Sequence, residues 1–200
     1  LIPYPITIVV DADDFDKSIK EINTGIMCFD KQSLDYALTR IKPDNRKNEY
    51  YLTDAIKILY DKGEVVDALK IKDVTEVMGI NSRVDLAKAA ALVRTKLLEA
   101  FMVKGVTIID PSNTVINFDA KIGQDTVIYP FTVIDSNVII GKRCSVGPFA
   151  HLREGTTLKD DVVAGNFLEI VRSTISSHTF AKHFCYIGDT RVGRSVNICA

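Results

Sequence analysis

A six-residue repeat of aliphatic residues runs through the second half of this 200-residue chain. Ten positions spaced six residues apart are aliphatic, namely Ile116, Ile122, Ile128, Ile134, Ile140, Val146, Leu152, Leu158, Ala164 and Ile170. An α-helix repeats every 3.6 residues and a β-strand every two, so neither element alone produces this period. The repeat predicts a parallel β-helix, in which each hexad forms one short, flat side of a prism and the aliphatic side chain points inward.

The residues around the aliphatic positions fit the same prism. Glycine follows four of them, at Gly123, Gly141, Gly147 and Gly165. Such glycines leave room for backbone that a side chain would block. Small or β-branched residues, which suit a tight corner, lie two positions before most of them, at Thr126, Thr132, Val138, Cys144, Ala150, Thr156 and Val162.

The phase of the repeat slips by one residue after Ile170. The aliphatic positions then continue at Ile175, Ala181, Ile187, Val192 and Ile198. We expect a corner insertion or a local irregularity at the slip, with the solenoid continuing beyond it. Because a solenoid needs a cap over its last coil and none is visible before residue 200, the chain is expected to be a fragment of a longer protein.

The segment before residue 82 mixes helix and strand signals. One helix is predicted from Ser33, as its N-cap, to about Ile41, and another from Thr53 to Gly63. Strands are predicted at 25–29 and 64–71. Because alternating strands and helices are typical of a layered α/β domain, the expected fold class is α/β plus all-β.

A long amphipathic helix is predicted next. Ser82 can cap it, and it would be roughly 33 Å long at the usual rise per residue. Apolar residues recur along it at steps of three and four, at Leu86, Ala90, Val93, Leu97 and Phe101. The pattern fits a connector between domains and an ordinary core helix equally well. The predicted division is a domain at 1–81, a linker helix at 82–104 and a β-helix at 105–200.

The composition excludes several classes of function. Hydrophobic residues make up 46% and charged residues 26% of the chain, as in soluble globular proteins. A net charge of −1 gives no electrostatic basis for binding nucleic acid or anionic membrane. No run approaches the 18 apolar residues of a membrane span. The four cysteines form no CxxC pair, so we expect a cytoplasmic protein with reduced thiols, no membrane span and no nucleic-acid partner.

Short segments in a fixed order carry a resemblance to a known family. They are EINTGI at 21–26, EYYLTDAI at 49–56, GINSR at 79–83, GPFAHLR at 147–153, GNFLEI at 165–170, HFCYIGD at 183–189 and VNICA at 196–200. Together they resemble the bifunctional bacterial enzymes that make UDP-N-acetylglucosamine. In that family the C-terminal part of a Rossmann-like nucleotidyltransferase domain leads through a long helix into a left-handed parallel β-helix, which assembles as a homotrimer.

The resemblance implies an acetyltransferase site on the β-helix. The reaction would move an acetyl group from acetyl-CoA to the amine of glucosamine 1-phosphate. By resemblance His183 is the general base, a role that histidine suits near neutral pH, and Arg153 binds the sugar phosphate. Tyr186 and Asn197 would contact the same substrate, and Ala200 lies near acetyl-CoA. His151 and His178 match no family site and are interpreted as solvated surface residues.

The resemblance also implies uridylyl transfer from UTP to N-acetylglucosamine 1-phosphate in the first domain. There Asn81 would offer its amide oxygen to Mg²⁺, which prefers oxygen ligands, and Asn23 would contact the sugar nucleotide. From the residues alone, Asn23 also fits a turn before Gly25, and Asn81 fits the cap region of the long helix.

The sequence departs from the family at three places. No glycine-rich basic loop precedes the hexads, where glycines are isolated, and Ile8 falls where the family has a glutamate. Val171 stands in place of a lysine that binds the sugar phosphate. Arg172, the next residue, is a candidate substitute, although one step along a strand reverses the face. The changes within the β-helix weaken the expectation of full acetyltransferase efficiency.

Three functions therefore remain open from the sequence. The first is a transferase active in UDP-N-acetylglucosamine synthesis. The second is a non-catalytic trimeric β-helix scaffold with a degenerate nucleotidyltransferase remnant, which the missing loop and Val171 favour. The third is a nucleotidyltransferase for another sugar, against which the segment at 183–189 argues because such an enzyme needs no acetyl-transfer base.

Overall fold

A computed structural model describes residues 23–198 of the chain. Contacts divide the chain into two compact units, Leu1–Met78 and Gly79–Ala200. The long helix therefore lies in the same unit as the hexad repeat. The domain limits at residues 81 and 104 stay predictions of the sequence.

The described part of the first unit, residues 23–78, contains two short α-helices. Helix α1 spans Lys31–Leu38 and helix α2 spans Asp54–Asp61. Their contact buries a small apolar cluster, Ala37, Ala55 and Leu59. The two helices are thus held together by little more than three buried side chains, with partly buried neighbours around them.

The helix limits correct one prediction and explain another. The cap of α1 is Asp30, whose carboxylate accepts from the backbone N–H of Ser33, so Ser33 lies inside the helix. Thr53 does precede α2, as expected. At the end of α2, Gly63 adopts φ +87° and its N–H reaches the carbonyl of Tyr60. This left-handed C′ glycine is the usual way to close a helix.

The predicted strands at 25–29 and 64–71 are wrong. Within residues 23–78 the structure contains no β-strand. A strand must pair its backbone groups with a neighbour, and apolar residues without such a partner stay exposed, as Val65 at 97% and Leu69 at 93% do. The layered α/β arrangement and the Rossmann-like domain are therefore not seen in the described part of this unit.

Helix α3 spans Arg83–Val103 and follows a short 3-10 turn at Val74–Val77. Its cap is Ser82, as predicted, and the hydroxyl accepts from the N–H of Asp85. The predicted apolar face is only partly buried. Its early members remain exposed, and the buried contacts are made near the C-terminal end by Leu98 and Phe101, which join the core of the hexad repeat. No helix among residues 23–198 is long and apolar enough to cross a membrane.

The hexad repeat folds as a parallel β-solenoid of short strands. They are β1 Thr107–Ile108, β2 Val115–Ile116, β3 Lys121–Ile122, β4 Val127–Ile128, β5 Val133–Ile134, β6 Ile139–Ile140, β7 Ser145–Val146, β8 Ala150–Leu152, β9 Thr157–Leu158, β10 Val163–Val171, β11 Thr174–Ile175, β12 Phe180–Gly188, β13 Arg191–Val192 and β14 Asn197–Ile198. Each strand pairs in parallel with one a coil away, such as β4 with β7. The parallel solenoid and its hexapeptide repeats fit the left-handed β-helix that was expected.

The aliphatic positions fill the solenoid core as predicted. Nine of the ten are buried, and Ile122 packs against the same core while partly exposed. The small residues that precede them, from Thr126 to Val162, are also buried. Thr126 shows why a hydroxyl is tolerated there, because it donates to the carbonyl of Gly141 and accepts from the N–H of Cys144 in the next coil. Burial of Cys144 raises the pKa of its thiol.

The phase slip marks a shortened corner. Strand registers place Leu152 beside Ile170 and Ile170 beside Ile187, steps of eighteen and seventeen residues. One residue is missing between Ile170 and Ile175, and the same shortening recurs between Ile187 and Val192. The prediction of a local irregularity with the solenoid continuing beyond it is confirmed.

Ion pairs join successive coils at the corners. Arg143 donates two hydrogen bonds, of 2.8 and 2.9 Å, to the carboxylate of Asp161 one coil later. Arg172 makes the same two-bond contact with Asp189. All four residues have positive φ. The backbone strain of these left-handed residues therefore occurs at corners where a salt bridge also links successive coils.

Acid should weaken the Arg143–Asp161 corner. The Arg143 guanidinium lowers the pKa of the Asp161 carboxyl from its ordinary value of 3.8. A group with a lowered folded-state pKa stabilises above its ordinary pKa, and that contribution is lost as pH falls through the lowered value. We expect the melting temperature of Asp161→Asn to fall less than that of the wild type when the pH is lowered from 7 to 3. The melting temperature of Arg143→Gln should show the same smaller fall. That of the double variant should fall no differently from either single variant, because each substitution alone removes the ion pair. Equal losses in all four proteins, measured by circular dichroism, would contradict the assignment.

Candidate functional site

Outward-facing polar residues cluster on one side of the prism. This side, the β8 face, consists of β2, β5, β8 and the C-terminal parts of β10 and β12, paired in that order. Residues alternate along each strand, so inward Leu152 leaves His151 and Arg153 pointing outward. In the neighbouring coils Glu169 and Tyr186 lie in register with His151. The β8 face therefore brings together two of the predicted site residues, Arg153 and Tyr186.

Arg153 is held by Glu169. Its guanidinium donates to the carboxylate across 2.7 Å, with 45% and 39% of the two side chains exposed. The hydrogen bond and the charge of Glu169 raise the pKa of Arg153, and Tyr186 adds to the effect. Glu169 was not singled out from the sequence. The contact fixes one edge of the guanidinium and leaves donors for a second anion.

Tyr186 lies in register with Glu169 in the next coil, and its ring is close to the backbone of its own strand at Gly188. A Cβ at Gly188 would come within 2.6 Å of the Tyr186 hydroxyl, so only glycine leaves room for the ring in this position. The side chain is 64% exposed. An exposed phenol beside a guanidinium can contact a polar ligand on the β8 face.

His183 stands just before the corner that leads onto the β8 face. It lies in β12 opposite Asn166 of β10, and its side chain is exposed. The next residue, Phe184, turns the corner with φ +45°. Its ring centroid lies 6.0 Å from that of His183. The predicted base is therefore accessible and lies three residues before Tyr186 in β12, on the other side of the corner at Phe184.

A column of four phenylalanines follows that corner along the solenoid. Phe131, Phe149, Phe167 and Phe184 stack with ring centroids 4.9, 4.9 and 5.2 Å apart and planes within 11°. All four turn the corner with positive φ and are between 46% and 73% exposed. The signal in the sequence is phenylalanine at intervals of eighteen, eighteen and seventeen residues. An exposed apolar column thus borders His183.

Asn197 lies one coil beyond Phe180, in β14, and is exposed. It therefore continues the side of the prism on which His183 lies, rather than the β8 face. Ala200, predicted near acetyl-CoA, is outside the described residues. The predicted roles of both remain untested by the geometry.

Val171 and Arg172 do not restore a cation to the β8 face. Val171 is 3% exposed. Arg172 turns the corner with φ +43° and is occupied by Asp189 at 2.6 and 2.7 Å. Arg172 is therefore part of a structural ion pair between coils, and the suggestion that it replaces the family lysine gains no support.

The residues assigned to uridylyl transfer lie in different units and are exposed. The side chain of Asn23 accepts from the N–H of Gly25, which is the turn that its sequence context also fits. Asn81 directly precedes the cap of α3. Across residues 23–198 no group of three or more histidine, cysteine, aspartate or glutamate side chains could hold a metal ion. Asn81 alone supplies a single oxygen, so the described residues do not fit a Mg²⁺ site.

His151, interpreted as a solvated surface residue, has 41% of its side chain exposed and also has a polar partner. Its Nε2 lies 2.9 Å from a carboxylate oxygen of Asp135 in the preceding coil. In both the Asp135–His151 and the Arg153–Glu169 contact, the two residues are sixteen positions apart, which is two fewer than one full coil. That interval was available in the sequence as a signal. His178 lies 3.8 Å from Asp161 at a corner and is likewise not free of partners.

The chain is similar to a known repeat family and to curated proteins. The family described as "Bacterial transferase hexapeptide (six repeats)" matches residues 119–154. The bifunctional protein GlmU of Geobacillus sp. (strain WCH70) is 39% identical over 94% of this chain and 48% of its own length. That of Halalkalibacterium halodurans is 42% identical with the same coverage. The chain therefore spans about half the length of the curated relatives it matches.

A solved structure also matches part of this chain. It is the acetyltransferase domain of PglB from Neisseria gonorrhoeae FA1090 in complex with acetyl coenzyme A, 19% identical, covering 52% of this chain and 63% of that chain. The TM-score is 0.21, which is too low to carry a conclusion about function.

Proposed function

The chain belongs to the family of the bifunctional GlmU proteins, and on this premise we propose that a protein containing it acetylates glucosamine 1-phosphate with acetyl-CoA. The observation that carries the proposal is an exposed histidine one corner away from a face that presents an arginine. His183 borders the β8 face, on which Glu169 holds Arg153 at 2.7 Å. A base and a guanidinium are the two groups that this substrate, an amine with a phosphate, requires.

In the proposed reaction the amine of glucosamine 1-phosphate attacks the thioester carbonyl of acetyl-CoA. A carbon–nitrogen bond forms, the carbon–sulfur bond breaks, and coenzyme A leaves as a thiolate. His183 takes the proton that the amine loses and delivers it to the thiolate. Such a positioned base contributes about 10² to 10⁴ to the rate.

Arg153 and Tyr186 would bind the other end of the substrate. The guanidinium has donors beyond the one used by Glu169 and can meet phosphate oxygens in its own plane. Tyr186 offers a hydroxyl from the neighbouring coil. Asn197 is assigned to the same substrate and Ala200 to acetyl-CoA by the family resemblance alone.

Uridylyl transfer from UTP with Mg²⁺ stays a proposal for the protein as a whole. In residues 23–198 Asn23 and Asn81 are the only residues assigned to it, and the metal donors around them do not form a site. No step of that reaction is therefore assigned to this chain.

We also propose that the protein is a homotrimer with the acetyl-transfer site between subunits. The exposed phenylalanine column beside His183 supports this, since contiguous apolar surface is typical of an interface. Sedimentation equilibrium of the full-length protein is expected to give three times the mass of a single polypeptide. A concentration-independent monomer would overturn the proposed assembly.

The proposed activity is tested by thiol release. The full-length protein is mixed with acetyl-CoA and glucosamine 1-phosphate, and free coenzyme A is measured with a thiol reagent. Release that depends on both substrates is expected. Release no faster than without enzyme would reject acetyl transfer.

The scaffold without catalysis is the second candidate, and one observation favours it. Val171 is buried where the family has a lysine, so the described β8 face offers a phosphate one guanidinium and no lysine. A trimer whose melting temperature is unchanged by either substrate would support the scaffold. A shift of several degrees with glucosamine 1-phosphate would exclude it.

A further inference from the structure

Asn166 is the neighbour of His183 in the preceding coil. The two residues are register partners in β10 and β12. Register partners of parallel strands lie roughly 4.8 Å apart and extend their side chains to the same side of the sheet. The next pair along the same two strands, Phe167 and Phe184, shows this arrangement, because its rings stack with centroids 5.2 Å apart. The Asn166 amide is therefore within reach of the His183 ring.

The side chains of both residues are available to each other. Asn166 is partly buried and His183 is exposed. Within residues 23–198 neither side chain has a hydrogen bond or an ion pair. Asn166 is also the side-chain acceptor that the two strands place beside the ring. The adjacent residues on β10 and β12, none of which has a side chain that accepts a hydrogen bond, are Gly165, Phe167, Lys182 and Phe184.

A histidine base needs such an acceptor. A neutral imidazole has one N–H and one nitrogen with a lone pair, and the lone pair must face the substrate amine. The partner of the N–H then fixes the orientation of the ring and decides which nitrogen carries the proton. Oδ1 of Asn166 can accept this N–H. Because the ring becomes an imidazolium when it takes the proton, the hydrogen bond strengthens during the transfer step.

We propose that Asn166 is a positioning residue for His183, whose imidazole donates a hydrogen bond to Oδ1 of Asn166 and so keeps its other nitrogen toward the amine. This inference rests on the proposed acetyl transfer. It assigns Asn166 to the transfer step and not to the binding of either substrate. The residue touches none of the reacting atoms and acts through the ring.

Ser177 provides a matched control at another corner of the solenoid. Ser177 and Asn166 each lie two residues after an inward aliphatic residue and directly before a residue with positive φ. Both side chains are partly buried, and in the described part of the chain neither makes a hydrogen bond. Ser177→Ala therefore removes a polar group from the equivalent place in a coil, away from His183.

In the full-length protein, Asn166→Ala is expected to lower kcat for thiol release roughly tenfold, the size of one lost hydrogen bond to a charged group. KM for both substrates should change less than about twofold, since the lost interaction belongs to the transfer step. The melting temperature should match the wild type, and Ser177→Ala should match it in every respect. A folded Asn166→Ala protein with the kcat of the wild type would overturn the inference.

Asn166→Asp separates positioning from a structural role. It keeps an acceptor of the same shape, and its carboxylate favours the protonated form of a neighbouring imidazole. The acidic limb of the pH profile of kcat/KM should therefore move roughly one unit to higher pH. Above that limb the variant should keep most of the wild-type rate. A profile that stays in place would contradict contact between the two side chains.

A double variant tests whether Asn166 acts through His183. Asn166→Ala combined with His183→Gln should be no slower than His183→Gln alone, because no ring is left to orient. Losses that multiply would give Asn166 a role apart from His183 and would overturn the inference while acetyl transfer stands. A wild type that releases no thiol overturns the proposed function and this inference together.

Discussion

Replacing His183 with glutamine is expected to slow acetyl transfer about 100-fold or more, because the attacking amine then has no positioned group to take its proton. The side chain is exposed and precedes the corner at Phe184, so the fold should not depend on it. Melting temperature and sedimentation should therefore match the wild type. The measurement is thiol release at saturating concentrations of both substrates.

The control for this substitution is His178→Gln, which removes a histidine at a corner of the same solenoid. It should keep the rate of the wild type. A His183→Gln protein that retains more than about a tenth of the activity would show that another group, or water, accepts the proton. Loss of activity together with loss of the trimer would instead assign His183 to assembly.

Replacing Gly165 with alanine is expected to destabilise the solenoid by about 3 kcal/mol, at the upper end of overpacking effects. A Cβ at this position would collide with the carbonyl oxygen of Lys182 and lie 2.6 Å from its carbonyl carbon. Both atoms belong to the backbone of the next coil, so no side chain can move aside. Strands β10 and β12 would have to separate. Urea unfolding of the solenoid, followed by circular dichroism, measures the change.

Gly193→Ala is the matched control, since nothing lies closer than 3.9 Å to its added Cβ. It should change stability by less than about 0.5 kcal/mol. A Gly165→Ala protein as stable as this control would show that the coils can move apart at little cost. The separation would also reach the site, because β10 and β12 carry Glu169, His183 and Tyr186. Acetyl transfer should fall even under conditions in which Gly165→Ala remains folded.

The repeat made most of the solenoid predictable. An inward residue every six positions leaves no alternative face for the aliphatic side chains, and nine of the ten were buried as expected. The same alternation placed Arg153 outward from Leu152. The cap of α3 at Ser82 was equally local, because it depends on one hydroxyl and the N–H of Asp85.

The first unit was less predictable, because a strand forms only when another strand pairs with it, and the sequence of a short segment does not identify that partner. Apolar runs at 25–29 and 64–71 have strand composition, yet within residues 23–78 no neighbouring strand pairs with them. At α1 two residues could cap the helix, and Asp30 does so in place of Ser33.

The sequence alone therefore determined the period of the solenoid, its buried residues and the order of the motifs, because these depend on hydrophobic spacing along one chain. Only the tertiary structure decided which side chains meet across coils. Register set the contacts of Arg153 with Glu169 and of His151 with Asp135, and it placed Arg172 against Asp189. Such contacts depend on coil length, and removing one residue at a corner changes which residues of successive coils lie next to each other.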